Sequence, residues 1–133
     1  MLRAVLDTNV LVSAVISDGK SRQLLRKGIE NKFSLLTSDF ILKELASVLR
    51  RPKFQMNEAE IQQIVLALIQ SAEVVNVKSN LGFVRRDRKD DQVVNTGYDG
   101  KADVIVTGDR DLLELESFEG IRAISVARAL EMM

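Results

Sequence analysis

The sequence predicts an α/β fold in which a parallel sheet carries helices on both faces. Short apolar runs of strand length alternate with stretches of helical periodicity along the 133 residues. The first run, Ala4-Val5-Leu6, shows no polar alternation, as expected of a strand covered on both sides. Asp7 follows that run directly, and Asp109 follows Val104-Ile105-Val106-Thr107-Gly108 in the same way. Open α/β sheets bind ligands beyond the carboxyl ends of their strands, which is where both acids would stand.

In chain order, strands are expected at residues 2–6, 33–36, 72–75 and 104–106, with a weaker one at 122–124. Helical patterns occupy 9–16, 21–29, 39–50, 58–70, 91–98, 110–115 and 126–132. Pro52 ends the third helix, and Asn57 followed by Glu60 has the form of a capping box before the fourth. Residues 76–90 read as one long loop that begins polar and ends densely charged, Arg85-Arg86-Asp87-Arg88-Lys89-Asp90-Asp91. With no repeat, low-complexity tract or linker, the length fits a single domain over 1–133 with its own core.

Composition narrows the chemistry. The 19 basic and 19 acidic residues cancel, so bulk charge gives no support to nucleic-acid binding but leaves room for a local basic patch. No apolar stretch approaches the ~20 residues of a membrane helix and no signal peptide is legible, so the expected compartment is the cytoplasm. There is no Cys, hence no disulfide, Cys–Zn site or thiol nucleophile. There is no His, which removes Ser–His–Asp chemistry, His–Zn sites and imidazole acid–base catalysis. An enzyme working near neutral pH would be left with carboxylates, Lys and Arg, hydroxyls and an oxygen-liganded metal. Carboxylic acids near their reference pKa are poor proton shuttles at that pH, and a metal is the usual remedy.

Four acids stand out. Asp7 lies between two apolar segments, where desolvation is costly without a compensating partner. No basic residue occurs between Arg3 and Lys20, so that partner comes from a distant part of the chain or from a bound cation. Asp109 is the second strand-end acid. Glu44 borders the apolar face formed by positions 41, 45, 48 and 49, and Asp91 opens a helix whose next turn is apolar. Mg²⁺ and Mn²⁺ prefer such hard oxygen ligands. Without a cation the set repels itself: two carboxylates about 4 Å apart cost roughly 4 kcal/mol at an effective dielectric near 20. Each acid also has a plainer reading. Asp109 would serve as a helix N-cap, Asp111 would favour the dipole in the first turn, Glu44 would pair with Lys43 or Arg51, and Asp91 would be a helix-start acid beside basic neighbours.

Together these segments resemble the PIN domain, and most closely the VapC-like toxins of prokaryotic toxin–antitoxin modules. The resemblance rests on Val5-Leu6-Asp7-Thr8-Asn9-Val10-Leu11, on Glu44 within a later helix, on Arg86-Asp87-Arg88-Lys89-Asp90-Asp91, and on Ala102-Asp103-Val104-Ile105-Val106-Thr107-Gly108-Asp109-Arg110-Asp111-Leu112-Leu113. These segments occur in the family's order and cover essentially the whole chain. The resemblance implies a three-layer α/β/α sandwich with a central, mostly parallel sheet, and Mg²⁺- or Mn²⁺-dependent cleavage of single-stranded RNA. It carries Asp7, Glu44, Asp91 and Asp109 over as the acidic set, with Asp7, Asp91 and Asp109 as metal ligands. Asp111 is an accessory acid, and Thr8, Asn9 and Thr107 match positions that orient the acids. It also implies a cognate antitoxin and a homodimer, with helices 21–29 or 39–50 supplying an interface if their apolar residues are not core.

Three departures qualify it. Arg88 stands where the family usually has Pro. Asp90 adjoins Asp91 and competes with it as third ligand, though the spacing to the helix favours Asp91. Val93-Val94-Asn95-Thr96-Gly97-Tyr98 is more polar than the usual small apolar helix, and Gly97 weakens a helix by about 1 kcal/mol relative to Ala. The expected reaction is metal-assisted phosphodiester hydrolysis, with Arg85, Arg86, Arg88 and Lys89 holding the substrate backbone unless they only offset the loop's own acids. Such chemistry does not need the ribose 2′-hydroxyl. A Mg²⁺-dependent phosphatase is the competing hydrolase reading; Asn9 stands where haloacid-dehalogenase-type enzymes need a second Asp. A non-catalytic RNA- or protein-binding domain is the third.

Overall fold

A computed structural model of the chain describes the backbone of residues 1–80 and 88–133, and the side chains of all of these except 88–90. The elements run β1 (Arg3–Leu6), α1 (Thr8–Ile16), α2 (Lys20–Ile29), β2 (Ser34–Ser38), α3 (Asp39–Leu49), α4 (Glu58–Ser71), β3 (Glu73–Val75), α5 (Arg88–Asp99), β4 (Val104–Val106), α6 (Arg110–Leu115), β5 (Ser117–Phe118), β6 (Ile121–Ile124) and α7 (Val126–Met132). A 3₁₀ turn, Pro52–Phe54, joins α3 to α4. The expected capping box is present: Asn57 accepts from Glu60 N–H, and the Glu60 carboxylate accepts from Asn57 N–H.

Six strands form one sheet in the order β3-β2-β1-β4-β6-β5, parallel except for the antiparallel pair β5–β6. The chain walks from β1 to β2 to β3 in one direction and then crosses back to β4. Right-handed crossovers therefore place α1–α4 on one face and α5 on the other. This is the mostly parallel, helix-flanked α/β architecture that the sequence predicts. The switch in direction falls between β1 and β4, where open α/β sheets leave a crevice beyond the strand ends. Ala4, Val5, Leu6, Leu36, Ile105 and Val106 are fully buried, which explains their unbroken apolar runs.

Two expectations change. Helix α5 starts at Arg88 rather than at residue 91, so Asp91 is its fourth residue; of the loop expected over 76–90, residues 81–87 lie outside the described residues and 88–90 are helical. The two-residue β5 was not foreseen, because it is too short to show a period. Gly97 also acquires a packing reason. A Cβ there would lie 3.1 Å from Ile105 Cδ1, so glycine lets α5 lie close on β4.

Candidate active site

The register of the central strands assembles the site. Leu6 pairs with Val106 across β1 and β4, so Asp7 and Thr107 emerge side by side at the carboxyl edge. The Asp7 N–H donates to Val106 O at 3.0 Å and so continues the ladder. Asp7 then caps α1: its Oδ1 accepts from Val10 N–H at 2.9 Å. The Thr107 hydroxyl donates to Asp7 Oδ2 and accepts from Asp109 N–H at 3.0 Å. Thr107 thereby ties the two strand-end acids together. Asp109 caps α6 by accepting from Asp111 N–H at 2.7 Å.

Asp7 is 5% exposed. Burial raises its pKa above the usual carboxylate value, and the nearby Asp109 charge adds to the rise. Hydrogen bonds from the Thr107 hydroxyl and from the Val10 and Asn9 backbone oppose it without cancelling it. Among the described residues no Lys or Arg forms an ion pair with Asp7 or Asp109. The distant partner anticipated for Asp7 thus includes a hydroxyl, Thr107, but no described cation.

The remaining acids stand on helices that flank this crevice. Glu44 is half-buried on α3, beside the buried Ile41, Leu45 and Leu49. Lys43 bridges Asp39 at 2.8 Å, which uses one of the two partners considered for Glu44. Asp91 is half-buried on α5, a helix that packs across β1, β2 and β4 and touches α3. Among the described residues no three acids stand close enough to form a ligand cluster as arranged. Arg85 and Arg86 lie outside the described residues, while Arg88, Lys89 and Asp90 belong to the first turn of α5 with side chains outside them. Thr8 Oγ1 is buried with no hydrogen bond among the described residues, so it does not visibly orient an acid, whereas Asn9 supports Asp7 through its backbone N–H.

Sequence reasoning passed over a buried polar group one strand away. Ser38 ends β2, caps α3, and donates its hydroxyl to Thr96 Oγ1 of α5 at 2.8 Å, because the single Thr96 proton is given to a helix carbonyl. Thr96 donates to Gln92 O at 2.8 Å. Ser38, Asn95 and Thr96 are almost fully buried. The polar triplet that departs from the usual apolar helix is thus partly explained: Thr96 fastens α5 to the end of β2. The available signal was the pair Thr37-Ser38 closing an apolar run just before a helix, the same pattern as Leu6-Asp7.

Fold and site define an acid-edged α/β domain with its carboxylates at a topological switch point. The chain belongs to the PIN domain family, whose profile matches residues 3–111, from the start of β1 into α6. An uncharacterised protein from Methanocaldococcus jannaschii, MJ1680, is 36% identical over 118 residues, covering 86% of this chain and 75% of that protein. The structure of VapBC2 from Rickettsia felis, solved bound to a DNA fragment from its promoter, is similar with a TM-score of 0.66. That match covers 93% of this chain and 98% of the other at 14% identity, so the likeness is one of fold.

Proposed function

We propose that residues 1–133 act as one PIN-type nuclease domain, a Mg²⁺- or Mn²⁺-dependent endoribonuclease that hydrolyses phosphodiester bonds of single-stranded RNA. The observation that carries this reading is the buried Asp7, coupled through Thr107 to Asp109 at the switch point and raised in pKa by burial and by its acidic neighbour. Such a pair suits a divalent cation better than it suits a folded core. Asp7, Asp91 and Asp109 would hold the ion, with Asp90 the competing third ligand. A bound divalent ion supplies an activated water and neutralises charge developing on the phosphate. Thr107 orients the Asp7 carboxylate and holds the Asp109 backbone, while Asp111 N–H orients the Asp109 carboxylate. Glu44 positions the attacking water or the ion, and Asp111 is an accessory acid. Arg85, Arg86, Arg88 and Lys89 would hold the RNA backbone by charge.

The fold likeness to a VapBC2 component supports a second level of the proposal, that this chain is the toxin of a toxin–antitoxin module, binds a cognate antitoxin protein and forms a homodimer in the cytoplasm. Among the described residues no helix is long and apolar enough to cross a membrane. Exposed apolar side chains on the α2 and α4 helices include Ile29, Leu66 and Ile69, while the apolar face of α3 is core.

The test compares wild type with Asp7→Asn on labelled single-stranded RNA and on a phosphate monoester, with Mn²⁺ or Mg²⁺. Metal-dependent RNA cleavage by wild type alone is expected. Equal cleavage by both proteins would sink the assignment of Asp7, and turnover of the monoester alone would favour a phosphatase.

A further inference from the structure

We propose that a polar cavity at the carboxyl ends of β2 and β3 is a nucleobase subsite that selects one base of the bound RNA. The cavity, about 460 Å³, is lined by Ser38, Phe40, Asn76, Ser79, Asn80 and Gln92 among others. That volume falls within the range of about 300–1,000 Å³ of small-ligand pockets. Its place follows from register. Ser38 pairs with Val75, so Asn76 leaves β3 beside the end of β2, and β2 is the neighbour of β1. Strands lie about 4.8 Å apart, which puts the end of β3 about 10 Å from the end of the strand that carries Asp7. This inference deepens the nuclease reading and takes from it the identity of the ligand as RNA.

The lining chemistry suits a base edge. Asn76, Asn80 and Gln92 each present an amide donor beside an amide acceptor, the complement of base-edge groups. Phe40, half-buried beside them, offers an apolar ring for an unpaired base. Among the described lining residues none is Lys or Arg. Asp39 at the rim is already neutralised by Lys43.

The walls are also built in place. Asp99, the last residue of α5, accepts from Lys78 N–H at 2.7 Å, from Ser79 N–H at 2.8 Å and from the Ser79 hydroxyl at 2.5 Å. This clamp holds the segment leaving β3, and the Thr96–Ser38 bond fastens α5 to the opposite wall. A site whose amides sit on fastened backbone loses little entropy on binding.

The test is equilibrium binding of labelled homopolymeric oligoribonucleotides of A, C, G and U, read by fluorescence anisotropy with EDTA present to prevent turnover. Wild type is expected to discriminate between best and worst base by about tenfold, the scale of one good amide–base pair. Asn76→Ala and Gln92→Ala, each checked for an unchanged circular dichroism spectrum, are expected to flatten that ratio. Equal affinity of wild type for all four oligomers, or a ratio unchanged in both variants, overturns the subsite. Cleavage is scored separately. Base-selective binding without Mn²⁺-dependent cleavage would overturn the nuclease reading and leave the subsite standing. Cleavage by wild type with no base discrimination would do the reverse.

Discussion

At the residue scale, Asp7 shows how one carboxylate can be both structural and functional. It caps α1, which is a sufficient local reason for an Asp at that position. A cap, however, needs neither burial nor an acidic neighbour, and Asp7 has both. The excess cost is the sign of a site that trades stability for function. Asp7→Asn keeps an oxygen for Val10 N–H while removing the buried charge, so in EDTA it should stabilise the fold by about 0.5–2 kcal/mol. Melting followed by circular dichroism checks this: a clear loss of stability would make the charge itself structural. Thr107→Val makes the complementary prediction. It removes the donor to Asp7 and the acceptor for Asp109 N–H while keeping the side chain's size. Supporting partners of metal ligands typically carry about 10–100-fold in activity or metal affinity. A loss of that size is expected, read as RNA cleavage against Mn²⁺ concentration.

At the element scale, α5 is the helix that composition describes least well and that packing explains best. Its sequence gains little from propensity, with Asn95, Thr96 and Gly97 in succession. Its position comes from tertiary contacts: Gly97 against Ile105, Thr96 on Ser38, and Asp99 on Lys78 and Ser79. This is also why its start was misjudged, since a charged segment carries no apolar period from which to read a boundary. Two glycines at this end separate backbone cost from packing cost. Gly97→Ala gains helix propensity but brings a Cβ to 3.1 Å from the end of Ile105, a flexible side chain. Its net effect should stay within about 1 kcal/mol of zero. Gly100→Ala meets Val75 Cγ2 at 2.8 Å and the backbone oxygen of Thr96 at 2.9 Å, so it should cost about 1–3 kcal/mol. Urea unfolding of the two variants checks the order, and a Gly100→Ala protein as stable as Gly97→Ala would contradict this account.

At the scale of the whole molecule, the sheet was legible because β1 and β4 are buried on both faces and therefore unbroken in apolar character, and because Asp7 and Asp109 mark their ends. The convergence of strand ends was less legible. Parallel register decides that Asp7 meets Thr107 and that Ser38 lies toward Asn76, and register between segments far apart in sequence leaves no local period. The assembled acids set the final prediction, the pH dependence of stability in EDTA. Asp7 has a raised pKa in the fold, so the folded chain binds its proton more tightly than the unfolded chain does. Its ionised form is a cost at neutral pH, and that cost is relieved as pH falls through the raised value. The opposing acids act lower. Asp99, which burial would raise, is held below its usual value by Ser79 and Lys78, and Glu58 is lowered to about 2 by Arg50 and Gln62. Their contributions are lost only as pH falls through those depressed values. As pH falls from neutrality through that raised value toward the ordinary carboxylate range, the melting temperature of metal-free wild type should therefore rise, and in Asp7→Asn that rise should be absent. Saturating Mn²⁺ should reverse the slope, because carboxylate ligands must be ionised to bind it. At about 100 times the dissociation constant the ion should add roughly 2.7 kcal/mol at neutral pH. Melting curves of both proteins across this range, with and without Mn²⁺, separate the outcomes. A wild-type slope that Mn²⁺ leaves untouched would place the ion somewhere other than the Asp7–Asp109 crevice.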